Sequence, residues 1–341
     1  MHITHEIIAV RTRHPFAIAR GVTSDYQTLT VRVRTPDGGE GWGEAAPNRF
    51  YGETTNTVAA VLPCLAAALE GLDPWHLDEA ERRMNAALRL NGSAKSAVSA
   101  ALHDLAAKRL GVPLYRMWGL DPARAPRSSF TIGIPPNDAE LRARVAEAAE
   151  YPVLKVKLGG DRDLDVMRTV REVAPAKTLR VDANAAWTPK HAVRMAHQLA
   201  DDFGVEFLEQ PVPAHDIEGL RFVRDRSPIP VVADESCVTS ADIPRLVGAV
   251  DGINIKLAKC GGLREAMRMV HAARAHGLLV MAGCMIETSL GIAAAAHLAP
   301  LLDYVDLDGA ALLANDPYAG PSIVGGVVRL PDAPGLGVVR R

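Results

Sequence analysis

Apolar positions recur with period two over residues 2–10 and again over 28–34, the pattern of half-buried strands, and the second run stops at Pro36-Asp37-Gly38-Gly39. Gly41-Trp42-Gly43-Glu44-Ala45 follows, so the chain is expected to open as an antiparallel sheet. Arg20-Gly21-Val22-Thr23-Ser24 separates the strands and Asn48-Arg49-Phe50-Tyr51-Gly52-Glu53 comes after them. Both are polar, glycine-bearing loops, either connectors or covers for a site. From Thr54 to Gly111 the period lengthens to that of helices. An alanine-rich stretch runs to Leu69, a second begins after Asp73-Pro74, and a third after Asn91-Gly92-Ser93 carries Val98, Leu102 and Leu105 on one face before Gly111-Val112-Pro113 stops it.

Past Asp121-Pro122-Ala123-Arg124-Ala125-Pro126-Arg127 the pattern changes to short apolar runs separated by helix-patterned stretches, the signature of a parallel sheet covered by helices. Strands are expected near Ser129–Ile134, Val153–Lys157, Leu179–Asp182, Val205–Glu209, Val231–Asp234, Ile253–Lys256, Leu279–Ala282 and Tyr304–Asp306. This α/β series fits a closed TIM-like barrel or an open doubly wound sheet. Residues 1–122 read as an α+β capping domain, completed by the Gly- and Pro-rich segment 317–341, and residues 123–316 as the barrel.

A chain of 341 residues suffices for both units, and 40 acidic against 38 basic side chains, a formal charge of −2 with no basic block, give no reason to expect nucleic acid as a partner. Cys64, Cys237, Cys260 and Cys284 form no CxxC pair and suit reduced thiols. The start of the chain lacks the features of a signal peptide. The longest apolar stretch, Leu290 to Leu302, contains His297 and Pro300 and is too short to span a bilayer. A cytoplasmic protein with a small-molecule partner and no membrane is the expectation.

The strand ends carry the chemistry. Lys157, Asp182, Glu209, Asp234 and Lys256 recur about every 25 residues, one βα unit each, and Asp306 ends the eighth strand. Ionisable groups are costly to bury unless paired or bound to metal, so such a series at one end of buried strands points to a site. Lys155 and Lys157 share a strand face, where mutual repulsion would depress the pKa of at least one; taken alone, the stretch is equally an edge strand with two solvated lysines. Three carboxylates on adjacent strands without Cys or His form a hard-oxygen set suited to Mg²⁺ rather than Zn²⁺. Lys157 and Lys256, on the second and sixth strands, face each other if the sheet closes as an eight-membered ring. Two opposed lysines beside a metal are equipment for removing an α-proton from a carboxylate and returning it from the other face, with the metal neutralising the developing enediolate.

These residues also carry a family likeness. Lys155-Val156-Lys157, Asp182-Ala183-Asn184, Leu208-Glu209-Gln210-Pro211, Ala233-Asp234-Glu235-Ser236 and Asn254-Ile255-Lys256 followed by Lys259-Cys260-Gly261-Gly262 resemble the muconate-lactonizing subgroup of the enolase superfamily, and Gly41-Trp42-Gly43-Glu44 resembles its capping domain. The resemblance implies a (β/α)7β TIM-like barrel, one Mg²⁺ per subunit on Asp182, Glu209 and Asp234, Lys157 and Lys256 as the acid/base pair, and a homo-oligomer. Within the subgroup, Asp306-Leu307-Asp308 resembles the dipeptide epimerases, where such a pair holds the substrate's α-ammonium. Period two places both carboxylates on one side of the strand, although a helix cap or solvated turn is the ordinary alternative. Arg20 resembles the arginine that L-Ala-D/L-Glu epimerases direct at the glutamate side chain. The implied reaction is epimerisation of a dipeptide by two-base proton transfer at the α-carbon of its C-terminal residue. The competing readings are o-succinylbenzoate synthase, muconate cycloisomerase and N-acylamino acid racemase. Lys155 is expected to tune Lys157 beside the substrate, Glu235 to orient Lys256, and Asn184 to hydrogen-bond near the metal. Glu287 is expected either in the pocket or on the surface.

Overall fold

The computed structural model describes residues 1–341. β1 (His2–Ile18) and β2 (Gly21–Arg34) pair antiparallel from His2 opposite Arg34 to Ile18 opposite Gly21, and β3 (Glu40–Ala45) adds to β2. Leu29, Val31 and Val33 alternate onto one face of β2, each at most 1% exposed. That face packs on Val58, Leu62 and Leu65 of α1 (Thr55–Ala68), on Met84 of α2 (Leu77–Ala87), and on α3 (Gly92–Leu110). Each such aliphatic side chain contributes roughly 1.5–3 kcal/mol by leaving water. The sheet lies so close to α3 that a Cβ on Gly41 would sit 1.9 Å from Ala101 O, and one on Gly43 would sit 2.1 Å from Ala97 O. The two glycines of the Gly-Trp-Gly motif are there for backbone approach, not for turns.

The hairpin is longer than its hydrophobic pattern indicates. Residues 21–24, read as a loop, begin β2, paired as Phe16–Thr23, Ala17–Val22 and Ile18–Gly21. In this distal ribbon residues 21–23 are exposed and Phe16–Ile18 only half-buried, so it lacks the fully buried apolar face that marks the proximal strands. Between Arg11 and Phe16 the register breaks.

After the short α4 (Leu114–Met117), eight strands run in sequence order around one parallel sheet: β4 (Phe130–Ile132), β5 (Val153–Lys157), β6 (Thr178–Asp182), β7 (Val205–Glu209), β8 (Val231–Ala233), β9 (Gly252–Ile255), β10 (Leu279–Gly283) and β11 (Tyr304–Asp306). A parallel bridge from Ser128 to Val305, with Ser129 N–H donating to Val305 O at 3.2 Å, joins the last strand to the first. The sheet is therefore a ring rather than an open doubly wound sheet. Helices α5 (Asp138–Glu147), α6 (Asp163–Val173), α7 (Pro189–Asp201), α8 (Ile217–Arg224), α9 (Ile243–Leu246), α10 (Leu257–Cys260) with α11 (Leu263–Ala275), and α12 (Ser289–Ala296) fill the seven connections. β11 is followed by a 3₁₀ turn, Gly309–Leu312, which makes the count (β/α)7β. Most strand positions are buried on both faces, which is why the strands read as continuous apolar runs.

The C-terminal segment comes back along the N-terminal elements. Tyr318 is fully buried, shares a 2.7 Å hydrogen bond with Thr30 Oγ1, and meets the Trp42 ring edge-on at 6.0 Å. Asp104 of α3 accepts from Leu336 N–H at 2.7 Å, and Arg340 pairs with Glu6 at 2.6 Å. No helix is long and apolar enough to cross a membrane.

Candidate active site

Parallel pairing sets Lys157 beside Asp182 and Asp182 beside Glu209, so three successive strands end at one level. Asp234 and Lys256 stand one residue past the ends of β8 and β9, and all five residues are buried, none more than 8% exposed as a whole. Carboxylate oxygens of Asp182, Glu209 and Asp234 lie within 4.8 Å of one another. Lys157 Nζ donates to Asp182 Oδ2 at 2.6 Å and Lys256 Nζ to Asp234 Oδ2 at 2.7 Å. Since β5 and β9 are four strands apart in an eight-strand ring, the two amines approach from opposite sides of the mouth.

Lys155 does not behave as a like charge pressed against Lys157. Its Nζ is 2.7 Å from Glu209 Oε2, 2.9 Å from Asp306 Oδ2 and 3.4 Å from Asp182 Oδ2. Burial opposes its charge, but the Asp306, Glu209 and Asp182 carboxylates outweigh that and raise its pKa well above the ordinary lysine value. The expected depression thus fails for Lys155, because carboxylates from three other strands, far apart in sequence, surround it. For Asp182, burial works upward, yet Lys157 and Lys155 hold the carboxyl down at about 2. Glu209 goes the other way, up to about 7, through burial and then the Asp182 charge. Burial also acts against ionised Asp234, and Lys256 and Lys259 reverse it, leaving that carboxyl well below the usual range.

The cluster is under-satisfied as a purely protein arrangement. Glu209 Oε2, Asn184 Oδ1 and Glu235 Oε2 are buried without a hydrogen-bond partner, and Lys155 reaches the first only as an ion pair. Three hard-oxygen ligands with unused lone pairs, neutralised by lysines, fit a divalent cation such as Mg²⁺.

Opposite, Asp306 accepts from Ser129 Oγ at 2.7 Å and from Lys155, while Asp308 Oδ2 accepts from Thr131 N–H at 2.6 Å. Burial, then the neighbouring Asp306 charge, pushes Asp308 up to about 7. Both carboxylates line, together with Lys155, Lys157 and Lys256, a cavity of about 1320 Å³. Cap loops close it: Arg20 and Phe50 are lining residues, with the guanidinium 4.5 Å from the Phe50 ring centre. Arg20 Nη1 lies 2.7 Å from Glu235 Oε1 and donates to Asn184 O at 2.8 Å. Glu235 therefore pairs with Arg20 rather than hydrogen-bonding Lys256. Asn184, at φ 45°, donates its backbone N–H to Asp182 Oδ1 at 2.8 Å and its amide to Asp182 Oδ2 at 3.2 Å. Glu287 is buried and raised by that burial to about 7, which removes the surface alternative.

Three polar residues near the carboxylates stand in the motifs but carried no expected role. Lys259 Nζ, fully buried, donates to Asp234 Oδ1 at 2.6 Å and to the carbonyls of Asp234, Cys237 and Asn254 at 2.5, 2.9 and 2.9 Å. Gln210 Oε1 accepts from Asp234 N–H and Ser236 N–H, both at 3.0 Å, and so fixes the end of β8. Asn254 Nδ2 donates to Glu209 Oε1 at 2.8 Å. Each sits one to three residues from a singled-out position, and a polar side chain in or just beyond a buried strand was the available signal.

Known proteins are similar to this chain in sequence and fold. Residues 138–340 match the family model described as enolase C-terminal domain-like, and residues 2–119 match that of the mandelate racemase/muconate lactonizing enzyme N-terminal domain. The L-Ala-D/L-Glu epimerase of Bacteroides thetaiotaomicron is 40% identical over 100% of this chain and 88% of its own. The dipeptide epimerase from Enterococcus faecalis V583, solved with Mg and the dipeptide L-Leu-L-Tyr, is 33% identical, with a TM-score of 0.93 and 99% of both chains covered. The substrate-liganded L-Ala-D/L-Glu epimerase from Bacillus subtilis is also 33% identical, with a TM-score of 0.94 over 100% of this chain and 98% of that one. With a buried three-carboxylate cluster inside a (β/α)7β ring and both family models matched along its length, the chain belongs to the mandelate racemase/muconate lactonizing enzymes of the enolase superfamily.

Proposed function

We propose that this protein is a Mg²⁺-dependent dipeptide epimerase acting on L-Ala-D/L-Glu, with Asp182, Glu209 and Asp234 as the metal ligands and Lys157 and Lys256 as the acid/base pair. The observation that carries the reading is the pair of lysine amines on opposite strands flanking a buried cluster of three carboxylates, with a second carboxylate pair across the cavity. When bound, Mg²⁺ supplies positive charge at the substrate carboxylate and so acidifies the neighbouring C–H. One lysine, as neutral amine, takes the α-proton at its Nζ; the other, as ammonium, delivers one from its Nζ to the opposite face, and the configuration inverts. Asp306 and Asp308 bind the substrate's α-ammonium, an end that muconate and o-succinylbenzoate lack and that N-acylamino acids have blocked. Lys155, held by Glu209 and Asp306, keeps the two carboxylate groups from repelling each other. Asn184 positions Asp182, and Glu235 positions Arg20.

Arg20, part-exposed to the cavity at 32%, supports a glutamate side chain in the substrate. A second reading follows from its pairing with buried Glu235 and from Ile18, Val22, Phe50, Met285 and Ile286 in the lining, which suit an apolar side chain instead. Incubating L-Ala-L-Glu and L-Ala-L-Phe separately with the Mg²⁺-loaded protein in D₂O distinguishes them. Deuterium is expected at the α-carbon of the C-terminal residue with inversion; solvent deuterium in neither dipeptide would sink the epimerase reading. We also propose the domain division at 122/123 with 317–341 completing the cap, a homo-oligomeric state by family likeness, and a cytoplasmic location without nucleic-acid partners. Four free cysteines and a near-neutral net charge support the last two points.

A further inference from the structure

A second cavity, of about 300 Å³, lies behind the wall of the first, with Phe16, Thr131 and Leu312 lining both. It opens between the stretch of β1 where register is lost and helix α5 of the barrel. Its ionisable lining groups are Arg13 and His14 from β1, Arg144 and Glu147 from α5, and Tyr151.

The charge there is unbalanced. Arg144 is only 8% exposed, yet its one side-chain hydrogen bond is Nη2 to Glu140 Oε2 at 3.1 Å, a half-exposed partner on its own helix. The rest of its guanidinium has no hydrogen bond to protein, and Arg144 lines the cavity. Arg13 donates from Nε to Leu313 O at 3.1 Å, which leaves its terminal nitrogens free. The single lining carboxylate, Glu147, is already taken by His14 Nε2 at 2.8 Å. Two arginines that line one cavity at the small end of the ligand-binding range, each with a single side-chain hydrogen bond, suit a compact anion.

We propose that this second cavity is a binding site for a small oxyanion, sulfate- or carboxylate-like, clamped between Arg13 of the cap hairpin and Arg144 of the barrel. Such a ligand joins the hairpin that carries Arg20 at its tip to the barrel through α5. Thr131, whose N–H donates to Asp308, forms the partition between the two cavities. The proposal concerns binding alone and stands apart from the epimerase reading.

Isothermal titration calorimetry on the full-length, Mg²⁺-loaded protein tests it, with inorganic sulfate and succinate as separate probes at fixed ionic strength. The expected result is one site per chain for at least one probe, with affinity lowered about tenfold or more by R13Q, on an exposed side chain, and abolished by R144Q. Whether sulfate or succinate shows that dependence identifies the source of the oxyanion. Binding unchanged in both variants places the anion at the lysines and metal of the main cavity and overturns the proposal. Absence of a heat signal for both probes at millimolar concentration does the same.

Discussion

Replacing Lys259 with methionine removes the most thoroughly bonded cation near the carboxylates while keeping an unbranched side chain one atom shorter. Its Nζ serves Asp234 Oδ1 at 2.6 Å and three backbone carbonyls between 2.5 and 2.9 Å, and the side chain has 0% exposure. Removing one member of a buried ion pair costs about 3–5 kcal/mol, largely because the other charge stays buried. Asp234 keeps Lys256 and its carbonyl keeps the Cys237 N–H at 3.1 Å, which moderates that loss, while any carbonyl left without a donor adds roughly 1 kcal/mol. The net expectation is a loss of about 3–5 kcal/mol, a large share of the 5–15 kcal/mol typical of a folded protein. K256M is the control: Lys256 makes one hydrogen bond, to Asp234 Oδ2, from a side chain that is 10% exposed. Urea unfolding of both variants in the presence of Mg²⁺ gives the comparison. If K259M is within about 1 kcal/mol of K256M, the assignment of Lys259 as the structural anchor of Asp234 is wrong.

K256M should lose epimerisation in both directions yet exchange the α-proton of one substrate epimer with D₂O through Lys157; exchange of both epimers, read by NMR, would refute opposed bases. His297 is buried, accepts from Tyr115 N–H at 3.2 Å, and is pushed by burial down to about 4. With an unfolded value near 6.5, the unfolded chain binds more protons between pH 6.5 and 4, so stability falls as pH drops through that window. His297 alone accounts for about 2 kcal/mol between pH 7 and 5, and H297Q should show a shallower decline in urea midpoint; an unchanged slope would exclude it. G41A places a methyl 1.9 Å from Ala101 O, and the forced separation of sheet and helix should cost about 1–3 kcal/mol in thermal unfolding. Removal of Mg²⁺ with a chelator should abolish epimerisation and allow recovery on adding the metal back; full activity in the chelated protein would contradict the metal-ligand assignment.

The barrel was legible because buried parallel strands must be continuously apolar, so a charge at a strand end is conspicuous. Lys157, Asp182, Glu209, Asp234 and Lys256 all stand where that logic puts them. The helices of the cap showed equally well through Val98, Leu102 and Leu105. The partners of those charges were not legible. Lys155 meets Asp306 across 151 residues, and Glu235 meets Arg20 across an even longer stretch of chain, so no local pattern encodes either pair. The distal hairpin was missed for a different reason: residues 16–23 pair without a fully buried apolar face, so no alternation marks them as strand.

Four lysines gather around the carboxylates, and their surroundings divide them. Lys155 and Lys259 have side-chain exposures of 1% and 0% and each contacts several acceptors, so moving either strands multiple buried groups. Lys157 and Lys256 are 9% and 10% exposed, line the main cavity, and have one hydrogen bond each, to an outer carboxylate of the three. A base must leave its ion pair to meet a proton, which is affordable for an amine with one partner and not for one with three or four. In both motifs, then, the sequence supplies a pair of lysines, Lys155 with Lys157 and Lys256 with Lys259, in which one is held by several acceptors and the other by a single carboxylate, as the proposed acid/base role requires. Spacing alone does not tell which is which, because the two-residue and three-residue intervals fall on a strand and on a helical turn. The count of buried acceptors around each Nζ does.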